Sequence, residues 1–510
     1  MKENKCNVSR RSMSHHAKVR GILRLSLALA QLVPVFSTAP RARETAGIRT
    51  SHPESHASTG AVMLSSCRLP GVAFPARCGT LDVPENPNRP EERRLGIGVA
   101  VTRDGKAAAR RDPIVVLMGG PGEGAIGAAE IYAKQFASLL RDRDLLLVDQ
   151  RGTGRSGALR CRVSLSDQPE AILRDLFPVA AIEKCARTLE EQADLTQYGY
   201  DRFARDLEQV RRALGYGPLN LFAGSYGTRA AQVYLRMFPE SVRTAYMGSV
   251  VPIDVPSPLP FAKTEQAAIE TMLSACAAES ACSSSFPHLR DEFREVSARL
   301  ASGPVSVTLK GADHTAALYP GRVAEWFRAK LYRPRSSAML PWMIHRAFLG
   351  DWSPIADGIV ADARESDSDF SFGLFFAITC NEDVAFIREE DIAPETQGTF
   401  LGDYRVRQQQ AACKYWPKVS LPPNYRERPH SSVPAVFASG DADGGTPLWY
   451  MEHVGAGFSH RLEVVLRGQG HTEWNDCIAR IYERLVVTGV LDAQKKAACG
   501  PVPRPPFKTN

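Results

Sequence analysis

The stretch Leu219-Asn-Leu-Phe-Ala-Gly-Ser225-Tyr-Gly-Thr-Arg229 runs from an apolar strand pattern, through small residues and a single serine, straight into a helical pattern. A chain that passes from strand to helix this sharply leaves no room for side chains two positions before and after the serine. Ala223 and Gly227 meet that demand, so Ser225 reads as a nucleophile presented on an elbow. A serine hydroxyl is a poor nucleophile by itself, and the motif acquires chemistry only if a base and an orienting acid follow at later strand ends. Without them it is a Gly/Ser-rich loop.

Both partners follow in the required order. Asp443, in Ser439-Gly-Asp-Ala-Asp443-Gly-Gly-Thr-Pro447, comes just after the apolar run 435–439, and His471, in Gly468-Gln-Gly-His471, comes just after the run 462–466. In such a trio the imidazole takes the serine proton, and the carboxylate fixes the imidazole tautomer and steadies its positive charge. Asp441 is the rival acid and would otherwise cap the turn. A tetrahedral oxyanion needs backbone donors, which the N–H groups of Gly120, in Met118-Gly-Gly-Pro-Gly122, and of Tyr226 would supply. The same loop contains a literal G-x-G-x-x-G, Gly122 to Gly127, with Asp144 about 20 residues on, the outline of a dinucleotide site. The two antiparallel strands expected before this unit, and the serine, acid and histidine after it, argue against that alternative.

Working outward, apolar runs at 114–118, 144–149, 219–223, 244–250, 435–439 and 462–466 alternate with amphipathic helical stretches such as 201–214 and 475–487, the pattern of a mostly parallel α/β sheet. Residues 79–83 and 95–101 read as an antiparallel pair leading into it. From 254 to 429 the rhythm breaks. Helical segments at 263–278, 289–301, 323–330 and 339–348 replace the strand series, so this stretch is expected to be a mainly helical insertion over the strand tips, where open α/β sheets bind ligands.

Composition narrows the classes. At 510 residues the chain is about three typical domain lengths, and 44% hydrophobic against 23% charged residues is ordinary for a globular protein. The net charge of +7 comes entirely from residues 1–42, which hold eight of the 63 lysines and arginines and one of the 56 acids. The remainder is neutral, and no nucleic-acid partner is expected. That basic leader precedes an apolar run of about 11 residues, 25–35, too short to span a bilayer but suited to a secretory signal, with small residues at Ser37 and Ala39. An exported protein, periplasmic or extracellular, with no stable membrane insertion after cleavage, is the expectation.

Loss of the leader removes Cys6 and leaves ten cysteines, an even number: Cys67, Cys78, Cys161, Cys185, Cys276, Cys282, Cys380, Cys413, Cys477 and Cys499. No CxxC pair or Cys/His cluster has zinc-ligand spacing, so disulfides in an oxidising compartment account for them better than a metal site. Sequence does not fix connectivity; sequential pairing closes five local loops and is the pattern expected.

Gly119-Gly-Pro-Gly122, Asp149-Gln-Arg-Gly-Thr-Gly-Arg-Ser156 and Gly224-Ser-Tyr-Gly-Thr228 together resemble the proline iminopeptidase and tripeptidyl aminopeptidase branch of the α/β-hydrolases. So do Cys78-Gly-Thr-Leu-Asp-Val-Pro, Cys380-Asn-Glu382, Cys413-Lys-Tyr-Trp416-Pro and the Asp443 turn. Met118 departs from the histidine usual before Gly-Gly-Pro-Gly in proline iminopeptidases, a change that leaves a backbone donor in place. The resemblance implies an α/β-hydrolase fold, and the composition breaks and strand rhythm divide the chain into leader 1–42, core 60–253, helical cap 254–429, core 430–499 and Pro-rich tail 500–510. It also implies a cofactor-free serine exopeptidase acting through an acyl-enzyme on peptides with a free N-terminus. Such a substrate needs an anion under the cap to meet its ammonium; Glu382 is the candidate and Asp383 the runner-up. A carboxylesterase or amide hydrolase of the same fold is the alternative.

Overall fold

A computed structural model describes residues 62–105, 109–163, 168–311, 313–365, 370–491 and 495–510; the expected leader lies outside them. Among the described residues twelve strands are formed: β1 Ser65–Cys67, β2 Ala76–Pro84, β3 Arg94–Thr102, β4 Ile114–Leu117, β5 Leu145–Val148, β6 Leu219–Gly224, β7 Val242–Gly248, β8 Val305–Thr308, β9 Thr315–Leu318, β10 Ala435–Gly440, β11 Arg461–Leu466 and β12 Lys496–Cys499. Ten of them make one sheet in the order β1-β2-β3-β5-β4-β6-β7-β10-β11-β12. The pairs from β1 to β5 are antiparallel, and those from β5 to β12 are parallel. The α/β-hydrolase fold expected from the sequence is therefore present.

Period-two alternation splits the apolar residues between the two faces of the sheet. Val115, Leu117, Leu146 and Val148 join one core with the helices Tyr200–Ala213 and Gly227–Met237. Ile114, Val116, Leu145 and Leu147 join another with Ala129–Gln135 and Asp476–Thr488. The last of these helices is bounded by its own sequence. Asn475 Oδ1 accepts from the N–H of Cys477 and Ile478 at 2.9 and 3.0 Å, and Gly489 closes the far end at φ 71°, a conformation that favours glycine.

Between β7 and β10, which lie side by side in the sheet, the chain leaves it for the helical insertion. The insertion is mainly helical, as expected, but it also carries the β8–β9 hairpin. Nor is it a single unit. The helices Phe261–Ala278, Leu289–Ala301, Pro320–Leu331 and Leu340–Phe348 share a core of their own, whereas the helix Phe372–Glu382 and Trp416 pack into the core beneath the sheet. The C-terminal segment is tied down: Val502 N–H bonds Arg467 O at 3.1 Å, and Phe507 is buried in the insertion's core. All five cystines pair sequentially, Cys67–Cys78, Cys161–Cys185, Cys276–Cys282, Cys380–Cys413 and Cys477–Cys499.

Candidate active site

Strands β4, β6, β7, β10 and β11 end at the same edge of the sheet, and each hands a loop to one site. Ser225 follows β6 with φ 54°, its N–H held by Gly248 O at 2.9 Å. The smallness demanded at Gly227 is real, since a Cβ there would stand 2.1 Å from Leu117 O. Among the described residues only Ser225, Ser249 and Thr472 are non-glycines with positive φ, and all three surround this site. Such strain persists only where neighbours hold it, and it gathers at functional sites.

His471 Nε2 lies 2.9 Å from Ser225 Oγ, and His471 Nδ1 lies 2.8 Å from Asp443 Oδ2. The carboxylate is fully engaged. Its Oδ1 accepts from the N–H of Gly445 and Thr446, each at 3.0 Å, and its Oδ2 accepts from Thr446 Oγ1 at 2.5 Å and Ser249 Oγ at 3.0 Å. Ser249 Oγ in turn accepts from Thr472 N–H at 2.7 Å, which couples the acid's loop to the base's. Asp441 has no part in this: it is exposed and accepts from Gly468 N–H at 2.7 Å, the turn cap foreseen as its other role.

Gly120 and Tyr226 line the same cavity as Ser225 and His471. Phe370, from the insertion, closes over the glycine loop: Cβ atoms built at Gly120 and Gly122 would meet its ring at 3.1 and 3.0 Å. The G-x-G-x-x-G segment and the acid downstream of it are engaged within the protein. Asp149 already takes the Ile126 N–H at 2.8 Å and the Arg155 N–H at 2.7 Å, and Asp144 is spent on Arg103 at 3.1 Å and on the Tyr216 hydroxyl at 2.7 Å. Arg151 is structural as well, forked onto Asp206 at 2.7 and 2.8 Å behind the site.

The structure does not bring Glu382 and Asp383 to the cavity wall. Asp383 Oδ1 accepts from Arg229 Nη1 at 2.6 Å and Ser257 N–H at 2.8 Å, and its Oδ2 accepts from the Tyr226 hydroxyl at 3.2 Å. Glu382 lies behind that layer, accepting from Tyr200 N–H at 3.0 Å with Oε2 shut off from solvent. Burial pushes its carboxyl up to about 8, against the pull of the Tyr425 hydroxyl and the Tyr200 N–H. Both residues end a helix that is buried on every side, and an acid at its C-terminus faces whatever the core offers.

The carboxylate that does line the cavity is Glu123, whose Oε2 is buried without a partner. Burial pushes this carboxyl up to about 7, with the Arg333 guanidinium pulling the other way. The sequence offers a signal for it, an acid inside a glycine loop, but the loop's backbone donors and its G-x-G-x-x-G outline drew the reading away from that side chain. Arg405, Gln409 and Tyr332 also reach the wall from the insertion without a recognisable motif.

Residues 112–274 match the alpha/beta hydrolase fold family, and residues 398–499 match the family described as TAP-like protein. The putative hydrolase YuaR of Escherichia coli is 27% identical over 183 residues, 35% of this chain and 36% of that protein. A tripeptidyl aminopeptidase of Streptomyces coelicolor is 29% identical over 192 residues, 35% of each chain. The serine protease Hip1 of Mycobacterium tuberculosis is 30% identical over 234 residues, 42% of this chain and 44% of that protein. The matched stretches thus span less than half the length of these relatives. Strand order, the residues gathered at the strand ends and these matches lead to one statement: the chain has the α/β-hydrolase fold, and over the matched stretches it is similar to the branch of the tripeptidyl aminopeptidases and proline iminopeptidases.

Proposed function

We propose that the protein is an exported serine exopeptidase that removes a short N-terminal group from peptides through an acyl-enzyme. The observation that carries the reading is the unbroken run of contacts from Ser225 Oγ through His471 to Asp443, at 2.9 and 2.8 Å, opening into a cavity roofed by the insertion. Ser225 Oγ attacks the substrate carbonyl carbon while His471 Nε2 takes its proton. Charge grows on the carbonyl oxygen, where the N–H groups of Tyr226 and Gly120 receive it. The imidazolium protonates the leaving amine, the C–N bond breaks, and an ester to Ser225 remains. Water then repeats the sequence, its proton going to His471 and returning to Ser225 as the acid is released.

Ammonium recognition passes in this reading from Glu382 to Glu123. A carboxylate oxygen buried without a partner is costly, and a substrate ammonium entering the cavity supplies what Glu123 Oε2 lacks. The relatives named tripeptidyl aminopeptidase and proline iminopeptidase favour a peptide substrate. Five cystines favour an oxidising compartment, and no helix among the described residues is long and apolar enough to cross a membrane.

The test is a panel of aminoacyl-, dipeptidyl- and tripeptidyl-arylamides with N-acetylated counterparts and short-chain esters, beside a phosphonate probe on wild type and Ser225→Ala. Preference for free amines with Ser225-dependent labelling supports the reading. Equal cleavage of blocked and free amides, or activity on esters alone, transfers it to an amidase or carboxylesterase. Glu382 and Asp383, turned away from the cavity, are the observation in favour of that second reading.

A further inference from the structure

The triad's base is held from two sides, and one of them belongs to the insertion. Tyr332 follows directly on the helix Pro320–Leu331. Its carbonyl oxygen accepts the His471 backbone N–H at 2.8 Å, and its ring lies along the imidazole with centroids 5.0 Å apart and planes 22° from parallel. Two loops of the core leave space for this residue. A Cβ at Gly445, beside the acid, would stand 2.3 Å from Tyr332 Cε1, and one at Gly470, beside the base, would stand 2.2 Å from Tyr332 O.

Tyr332 is itself held by a buried line of charges, all from the insertion. Arg328 donates to its hydroxyl and lies 4.9 Å over its ring. Arg328 Nη2 bonds Glu325 Oε1 at 2.7 Å, and the same oxygen accepts from Arg405 Nη1 at 2.5 Å. Arg405 completes the path back to the cavity wall, with its Nε on Gln409 Oε1 at 3.2 Å. The chain of contacts therefore begins where substrate sits and ends on the face of the catalytic imidazole.

We propose that Tyr332 is a positioning residue for His471: seated by the insertion, it fixes the imidazole plane and sets an aromatic face against the imidazolium formed during turnover. Two effects follow. A cation on an aromatic face is stabilised, and that favours the charge-separated steps over the resting state. The backbone bond sets where the imidazole sits, so the nucleophile is activated only when the insertion is docked on the core. The proposal rests on the triad reading and is independent of which peptide, amide or ester is the substrate.

The test uses the full chain with Tyr332→Phe, which keeps the ring, and Tyr332→Met and Tyr332→Leu, which fill the space without an aromatic face. Thermal melts identify the folded variants, and either aliphatic one suffices. The readouts are the second-order rate at which a small phosphonate labels Ser225, and kcat and KM on whichever ester or arylamide the wild type cleaves. The expected result is a fall of about tenfold in labelling rate and kcat for Tyr332→Met or Tyr332→Leu, with KM within about twofold and most of the loss recovered in Tyr332→Phe. A folded aliphatic variant labelled at the wild-type rate overturns the proposal. So does a change confined to KM, which would make Tyr332 a substrate contact, or an equal loss in Tyr332→Phe, which would make the hydroxyl and its arginine the active part. Wild type that is not labelled at Ser225 refutes the triad reading itself, and the proposal with it.

Discussion

Arg229 Nη1 and Asp383 Oδ1 meet at 2.6 Å with both side chains almost wholly buried, one on the helix that follows the nucleophile and the other at the end of a helix of the insertion. Arg229 also donates to the carbonyls of Pro252 and Val255 and lies 5.0 Å over the Tyr226 ring. This pair joins the two parts of the molecule beside Tyr226. Removing one partner strands the other charge in the core, so Arg229→Met or Asp383→Leu is expected to lower stability by about 3–5 kcal/mol. The double variant should recover a large part of that loss. Urea denaturation of all four proteins checks it; a double variant as unstable as the two single losses combined would contradict it.

Replacing Ser225 or His471 by alanine should reduce turnover by several orders of magnitude with an unchanged melt, since the two act as one unit. Asp443→Asn should also be severe, because the side chain that holds the Nδ1–H of His471 loses its charge. Asp441→Asn should stay within about threefold of wild type, because Asp441 only caps a turn at Gly468. Steady-state rates on one common substrate decide between the two acids.

Glu123→Gln should raise KM about tenfold on free-amino substrates, roughly 1.5 kcal/mol and the scale of a charge-assisted hydrogen bond, while leaving N-acetylated substrates unaffected. The pH dependence has a definite sign. With its carboxyl pushed up to about 7, Glu123 is neutral below that pH and cannot pair an ammonium, so preference for free amines should rise as pH increases through about 7. It should fall again once the substrate amine loses its proton near 8. The ratio of kcat/KM on free and acetylated substrates, taken across pH, cancels the contribution of His471. A flat ratio in wild type would remove Glu123 from substrate binding.

Glu382→Gln should change stability rather than specificity. Its folded carboxyl is pushed up to about 8 while the unfolded chain ionises near 4.5, so the native state holds a proton that the unfolded state has released between those values. Stability due to this group is present below about pH 4.5 and is lost as pH rises to about 8. Glutamine keeps the acceptor for Tyr200 N–H and carries no charge. The variant should therefore melt higher than wild type at pH 8, with a gain that disappears near pH 4.5. A gain that does not depend on pH would mean that Glu382 is not the cause.

The core strands were legible because apolar runs bounded by glycines and acids leave few other readings, and β4, β6, β10 and β11 fall within a residue or two of expectation. The short edges β1 and β12 were not, since strands of three and four residues have too few alternations to register. The helix Phe372–Glu382 escaped for the opposite reason: it is apolar and buried on every side and has no period. The contacts of Ser225, His471 and Asp443 could be anticipated because each residue is tied to a strand end by local sequence. The other residues around the cavity could not, because Glu123, Phe370, Tyr332 and Arg405 are far apart in the chain and meet only when the insertion folds back. Glu382 lies behind the cavity wall for a related reason: its neighbourhood suggested an acid under a roof, but which way it faces is decided by how the helix packs.

The placement of the five cystines has a mechanical consequence. Cys67–Cys78, Cys161–Cys185 and Cys477–Cys499 lie wholly in the sheet-bearing part, and Cys276–Cys282 and Cys380–Cys413 lie wholly in the insertion. Among the described residues no sulfur bridge crosses between the two parts. Oxidation thus stiffens the jaw and the socket separately and leaves the joint between them to chain crossings and non-covalent packing: the shared apolar core, the buried Arg229–Asp383 pair and the Tyr332–His471 contact.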